Sequence, residues 1–279
     1  MRALANSLEE GLRELFGHAE FRGGQREIVE AVAGGGDSLV VMPTGSGKSL
    51  CYQLPACVLD GVTLVVSPLI ALMKDQVDAL QEKRLPATFI NSSISHAEQK
   101  ERLQGMAGGE YKLVYVAPER FQNRGFLRAL RDVKVSLFAV DEAHCISQWG
   151  HDFRPDYRRL GEVREELGRP PTVALTATAT PVVQEDILRG LGLERADVFV
   201  RGFERPNLFF EVVHTRSQDE KEERIQSLVD HYPGESIVVY CATRKQVEEV
   251  RAALKRRKVS VGIYHGGMSD AERERAQDA

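Results

Sequence analysis

The sequence is poor in cysteine, in tryptophan and in long apolar runs, and each shortage excludes something. Its four cysteines (Cys51, Cys57, Cys145 and Cys241) are scattered, and none forms a C-x-x-C pair. This spacing speaks against a disulfide framework and against a structural zinc site in this stretch, and it points to a reducing, cytoplasmic compartment. The longest nearly apolar stretch, residues 64–73, contains Ser67 and Pro68. It falls well short of the roughly 18 residues that a membrane span needs, so no membrane partner is expected. The opening MRALANSLEE has no apolar core of a secretion signal. Charge of one sign is lacking too: 37 Lys and Arg face 41 Asp and Glu, a net of −4. Bulk electrostatics therefore give no pull toward nucleic acid, and any such partner must be held by a local patch. What remains is an ordinary globular composition, 42% hydrophobic and 28% charged over 279 residues. That excludes collagen-like, disordered and wholly coiled-coil chains and suits two domains.

Short apolar runs recur at 38–42, 63–66, 87–90, 112–117, 135–140 and 172–175. They are continuous rather than alternating, as strands covered on both faces must be. Between them lie segments with helical spacing; in 69–80, Leu69, Leu72, Met73, Val77 and Leu80 recur at three- and four-residue steps. The pattern predicts an α/β fold, a parallel sheet with helices on both faces. A polar, glycine-bearing segment at 201–207 reads as a linker, since Pro206 disfavours helix at Arg205. A second series follows, with strands expected at 208–213, 236–240 and 259–264 and a charged amphipathic helix at 245–257. The expected division is therefore 1–205 and 206–279. The second part holds too little chain for a robust parallel-sheet core, so the sequence reads as cut within its second domain.

The run 38–42 leads into Pro43 and then T-G-S-G-K-S at 44–49. Gly45 and Gly47 let the backbone curl so that N–H groups face a polyphosphate, and the helix that follows adds its positive end. Thr44, Gly45, Ser46, Gly47, Lys48 and Ser49 are the expected nucleotide-binding residues. Lys48 would reach the β/γ-phosphates and the Ser49 hydroxyl would ligate Mg²⁺. Met42 stands where the strict P-loop pattern has its first glycine. An incidental glycine turn is the bland alternative; a second acidic element decides against it. The run 135–140 ends in Asp141 and Glu142. Asp141 is placed to hold Mg²⁺, and Glu142 to orient and deprotonate the attacking water. The expected cofactors are ATP and Mg²⁺, and the fold class is a P-loop NTPase.

With D-E-A-H at 141–144 behind T-G-S-G-K-S, the chain resembles superfamily 2 helicases, motors with two RecA-like lobes. S-Q-W-G-H-D-F-R-P at 147–155 resembles the aromatic-rich loop of RecQ-family DNA helicases. Segments 15–25, 67–76, 115–120, 174–180, 203–207, 240–244 and 264–268 resemble further motifs of that family, in its order. The resemblance covers essentially the whole chain. It implies a RecA-like first lobe, an incomplete second RecA-like lobe and ATP-driven 3′-to-5′ movement on single-stranded DNA with duplex unwinding, in recombination and repair. It implies that His18, Arg22 and Gln25 read the adenine, Gln25 by pairing and Arg22 by stacking. Gln148, Trp149, His151, Phe153 and Arg154 would link DNA contact to hydrolysis, with Thr176 and Thr178 as relay residues. Single strands are held generally by bases stacked on aromatics among cations, which this loop supplies. The bland alternatives are core packing for Trp149 and Phe153, and strand-end preference for the threonines.

His18 stands where the family often has tyrosine, and Gly23 where it often has proline. The family's last motifs, its four-cysteine zinc module and its winged helix have no counterpart up to Ala279. The isolated chain is therefore expected to bind ATP weakly, hydrolyse little and not unwind. Two other readings stay open: an RNA helicase of the D-E-A-H kind and a non-catalytic nucleic-acid-binding fragment. The oligomeric state also stays open. The basic run 255–258 reads as a solvated helix end, the cysteines as small apolar side chains, and His144 as a hydrogen-bonded link to the threonine motif rather than a metal ligand.

Overall fold

The structure is a computed structural model that describes residues 2–202 and 208–277. The expected motif at 203–207 lies outside the described residues. The chain divides into two compact units, Met1–Arg205 and Pro206–Ala279.

The first unit is a seven-stranded sheet in the order β3-β4-β2-β5-β6-β1-β7. Its strands are β1 (Ser38–Val41), β2 (Val62–Val66), β3 (Ala87–Ile90), β4 (Leu113–Val116), β5 (Val135–Val140), β6 (Thr172–Thr176) and β7 (Asp197–Val200). Every pairing is parallel. β1, β2, β4 and β6 are buried along their whole length, which is why their sequences run apolar without alternation. The helices are α1 (Arg2–Glu14), α2 (Gln25–Ala33), α3 (Leu50–Val58), α4 (Ile70–Glu82), α5 (His96–Ala107), α6 (Arg124–Leu130), α7 (Leu160–Glu166) and α8 (Pro181–Leu191).

Two apolar cores lie on opposite faces of the sheet. One gathers Leu12, Ile28, Tyr52, Leu54, Met73, Val77 and Tyr115 with the inward side chains Val40, Val65 and Leu175. The other gathers Leu39, Val66, Phe121, Phe138, Tyr157, Leu160 and Ile187. Each fully buried Val, Leu, Ile or Phe contributes roughly 1.5–3 kcal/mol, so the two layers fix the strand order and hence the strand ends. Local signals set the helix starts. Ser95 and Glu98 form a reciprocal capping box for α5, and the Thr180 side chain accepts from Val183 N ahead of Pro181 in α8.

At the ends of the strands opposite the loops that follow β1 and β5, Arg164 is buried and donates to Asp37 (2.7 Å), Thr172 Oγ1 (2.9 Å) and the Gly192 carbonyl (3.1 Å). It pins β1, β6 and the end of α8 together.

β7 was not expected, and it extends the sheet beside β1. In the second unit the helix expected at 245–257 is α10 (Arg244–Arg256), flanked by α9 (Gln218–His231) and α11 (Asp270–Gln277). Thr243 caps α10 by accepting from Gln246 N. The strands expected at 208–213, 236–240 and 259–264 are a correction: these segments carry no strand ladder among the described residues. Phe209, Phe210, Val212, Val238 and Tyr240 are largely exposed, and among the described residues the buried apolar side chains of this unit are Val250 and Leu254 of α10. β-rich sequence makes a strand only when a neighbour accepts its hydrogen bonds and a layer covers its face, and neither is formed there.

Candidate functional site

β1 continues as Met42, whose N–H donates to the Thr176 carbonyl at 3.0 Å, and then breaks into the loop 43–49. Gly45 (φ 81°) and Gly47 (φ 82°) both take left-handed backbone, the conformation that makes glycine necessary there. A Cβ on Gly45 would meet nothing within 4 Å, so the loop is open on that side. A Cβ on Gly47 would strike the Gln25 side chain.

Gln25 is buried at 2% exposure, at the start of α2. Its Nε2 donates to the carbonyls of Ser46 (3.0 Å) and Gly47 (3.2 Å), and its Oε1 accepts from Arg22 N at 2.8 Å. Arg22 Nη1 donates to the Gly45 carbonyl at 3.1 Å. The pair expected to read adenine thus also clasps the phosphate loop from behind. His18 is exposed on the turn before it, and Thr44 lies exposed in the loop. Lys48 is half-buried, and its ammonium makes no hydrogen bond or ion pair among the described residues.

Two strands away in the sheet, β5 ends in the acids. Asp141 N donates to the Val66 carbonyl at 2.9 Å, and Glu142 then turns to φ 47°, ψ 44°. That left-handed turn bends the chain off the strand axis, with Glu142 N bonded to Asp141 Oδ1 at 3.0 Å. Burial pushes the Asp141 carboxyl up to about 6; the neighbouring Glu142 charge adds to this and Lys48 opposes it. Glu142 moves the other way: its hydrogen bond from His144 holds it below the usual glutamate range against burial, helped by Lys48. Lys48 therefore lies within electrostatic reach of both acids. His144 Nδ1 sits 3.2 Å from Glu142 Oε2 and 2.9 Å from Thr176 Oγ1, the link to the threonine motif expected of it. Thr176 Oγ1 in turn donates to the Thr178 carbonyl at 3.1 Å. β6, which carries Thr176, runs between β1 and β5. The phosphate loop, the threonine motif and the acids thus occupy the carboxyl ends of three adjacent strands, where parallel α/β sheets bind ligands.

The aromatic loop packs directly against this group. His151 stacks on His144 with centroids 4.0 Å apart and planes 19° apart. Tyr157, fully buried, donates to the Asp141 carbonyl at 2.9 Å. Arg154 is gripped by Asp152 Oδ2 (2.8 and 3.0 Å) and donates to the Pro68 carbonyl at 2.9 Å. It therefore braces the loop against the segment before α4. Trp149 is 77% exposed, which removes the core reading for it; Gln148 is exposed and Phe153 half-buried. Beside Trp149 and Gln148 lies a cavity of about 330 Å³, also lined by Arg158, Asp186 and Arg189.

Sequence reasoning missed Tyr157 as a tie to the acids and the clasp made by Gln25. The hydrophobic position of Tyr157 gave no sign that its hydroxyl would meet a backbone carbonyl.

The DEAD/DEAH box helicase family matches residues 22–187, and the helicase conserved C-terminal domain matches 220–279. The chain is 46% identical over 269 residues to the ATP-dependent DNA helicase RecQ of Bacillus subtilis, covering 96% of this chain and 45% of that protein. It belongs to the RecQ family of DEAD/DEAH box helicases. A RecQ helicase of Haemophilus influenzae is 44% identical over 266 residues, 95% of this chain and 42% of that protein. This RecQ-family chain thus spans less than half the length of those curated relatives. Among solved structures, Mycobacterium smegmatis helicase Lhr bound to ssDNA and AMP-PNP aligns with a TM-score of 0.69 at 21% identity, over 95% of this chain and 39% of that one. At that identity the likeness speaks to the fold alone, and it agrees with a RecA-like α/β sheet.

Proposed function

We propose that this RecQ-family chain is the ATP-binding and strand-sensing part of an ATP-dependent DNA helicase. The observation that carries this reading is the run of contacts from the end of β1 to the aromatic loop. Met42 N donates to the Thr176 carbonyl, Glu142 and Thr176 share His144, and His144 stacks on His151, with Lys48 within electrostatic reach of both acids. The proposed substrate is a nucleoside triphosphate, and the proposed partner is single-stranded DNA exposed from duplex.

The residues suit Mg·ATP. A hydroxyl and two carboxylates are hard oxygen donors, the set Mg²⁺ prefers, and the unpaired Lys48 beside an open glycine loop suits phosphate. In this reading Ser49 and Asp141 hold the Mg²⁺, which neutralises charge developing on the phosphates. Gly45, Ser46 and Gly47 offer backbone N–H groups to the phosphates. Glu142, kept ionised by His144, takes the proton of the attacking water. Gln25 and Arg22, which clasp the loop, are by family resemblance the residues that contact adenine. Trp149 offers an exposed ring to a base, and Gln148, His151, Phe153, Arg154, Thr176 and Thr178 carry the response to the strand back to Glu142. Movement 3′ to 5′, unwinding, work in recombination and repair, and a cytoplasmic location complete the reading by family resemblance.

Binding of a fluorescent ATP analogue with Mg²⁺, and of a labelled single strand, tests this. Lys48→Ala lowers nucleotide affinity by about 10- to 100-fold, the loss of a charge-assisted contact. Glu142→Gln leaves both ligands bound. Trp149→Ala weakens DNA binding by about 1–3 kcal/mol, and binding falls steeply with salt. Nucleotide affinity indifferent to Lys48→Ala defeats the reading, and a strong preference for RNA over DNA shifts it to an RNA helicase.

A further inference from the structure

A chain of polar side chains runs through the apolar core behind the phosphate loop, and none of the roles assigned so far uses it. Tyr52 and Gln53 lie on α3, the helix that leaves the loop. Tyr115 lies on β4 and Gln76 on α4. The Tyr52 and Tyr115 hydroxyls are 3.3 Å apart, with the rings edge to face at 6.4 Å. Gln53 Nε2 donates to Tyr115 Oη at 3.1 Å and to Gln76 Oε1 at 2.8 Å. At the near end, Tyr52 sits one turn beyond Ser49, its N–H bonded to the Ser49 carbonyl at 3.2 Å. The Gln53 N–H donates to the same Ser49 carbonyl at 3.0 Å.

Both tyrosines are 1% exposed in an otherwise apolar cluster. Phenylalanine would fill the same space without a hydroxyl to satisfy, and a buried hydroxyl is destabilising unless it is bonded. At the far end, α4 begins just after Pro68, whose carbonyl receives Arg154 of the aromatic loop. α4 is therefore held at its start by that loop and in its middle by a hydrogen-bonded chain that ends on the first turn of α3, where the Ser49 carbonyl accepts from Tyr52 N and Gln53 N.

We propose that Tyr52, Tyr115, Gln53 and Gln76 are positioning residues that couple α4 to the first turn of α3 and so to Ser49, a second route from the DNA-binding loop to the nucleotide besides the one through His144. The proposal rests on the nucleotide and DNA sites of the preceding section. A shift of α4 moves Gln76, and through Gln53 and the paired tyrosines it moves the first turn of α3, whose N–H groups hold the Ser49 carbonyl. Coupling of this kind is a linkage between two ligands and is reciprocal.

The test measures the Kd of a fluorescent ADP with Mg²⁺ and with EDTA, each with and without saturating oligothymidylate, in the whole chain. The unaltered chain shows a DNA-dependent change of about fivefold or more in the Mg²⁺ series. Tyr115→Phe and Gln76→Leu reduce that change to less than twofold while leaving the EDTA series alone. Gln76→Glu keeps an oxygen opposite Gln53 Nε2 and retains the change. Melting temperatures of each variant, and hydrogen exchange of the α4 amides on adding Mg·ADP, separate positioning from packing: exchange slows in the unaltered chain and in Gln76→Glu, and not in Gln76→Leu. A normal DNA-dependent change in Tyr115→Phe and Gln76→Leu, whatever their melting temperatures, overturns the relay. An unaltered chain that binds both ligands without linkage also overturns it. An unaltered chain that binds neither ligand overturns the proposed function, and the relay with it.

Discussion

The imidazole of His151 lies flat on that of His144, 4.0 Å away, while His144 itself reaches Glu142 and Thr176. An exposed loop residue thus touches a side chain that contacts both the acid and the threonine motif. His151→Ala removes the stack, worth about 0.5–1.5 kcal/mol for aromatic pairs. The expected result is a two- to tenfold loss in the effect of single-stranded DNA on Mg·nucleotide affinity, with nucleotide affinity in the absence of DNA unchanged. Titration calorimetry with each ligand in turn checks it.

Gly47 carries two constraints at once, a left-handed φ of 82° and Gln25 pressed against the place of its Cβ. Gly47→Ala should lower stability by about 1–2 kcal/mol from the backbone alone, with a further loss from displaced Gln25. Adding Gln25→Ala to Gly47→Ala should recover only that second part. Denaturant melts of the two single variants and the double variant measure the split, and an additive double variant contradicts the contact.

The Asp141 carboxyl is pushed up to about 6 by burial and by Glu142, against about 3.9 in an unfolded chain. Between those values the folded state holds the proton that the unfolded state has released, so this group's contribution to stability declines as pH rises from 4 to 6. Asp141→Asn should therefore raise the melting temperature at pH 8 and change it little at pH 4. Mg²⁺ needs the carboxylate, so Mg·nucleotide affinity of the unaltered chain should fall as pH drops below about 6, and that of Asp141→Asn should not.

Arg164 is buried at the opposite end of the strands, bonded to Asp37, Thr172 and Gly192. Arg164→Met strands Asp37 and the carbonyl, and should destabilise the first unit by about 3 kcal/mol. At 2–4 °C per kcal/mol this is a fall of roughly 6–12 °C in Tm. Nucleotide affinity at low temperature should be unaffected, because none of these residues touches the phosphate loop.

The legible parts of the sequence were those decided locally or by complete burial. The strands carrying Leu39, Leu64, Val114 and Ala139 read as apolar runs because both faces are covered, and the T-G-S-G-K-S turn because only glycine takes its backbone. β7 escaped notice because it is an edge strand with Asp197 and three exposed positions out of four. The runs at 208–213 and 236–240 have strand composition but no ladder: composition records what a segment can pair with, and pairing is a property of the neighbour. In the candidate site, the gathering of Lys48, Asp141 and Glu142 at neighbouring strand ends was readable from motif chemistry, and so was the His144 link. The contacts of Gln25 with Ser46, Tyr157 with Asp141 and Arg154 with Pro68 span 16 to 86 residues of sequence, and no spacing rule reaches that far.

The backbone at Glu142 has a last consequence. A non-glycine residue held at φ 47° sits uphill by about 1–3 kcal/mol, and asparagine or glycine would rest there more comfortably. A search for thermostable variants of this chain should keep returning to position 142, and each hit there should leave a sturdier protein without the carboxylate proposed as its base.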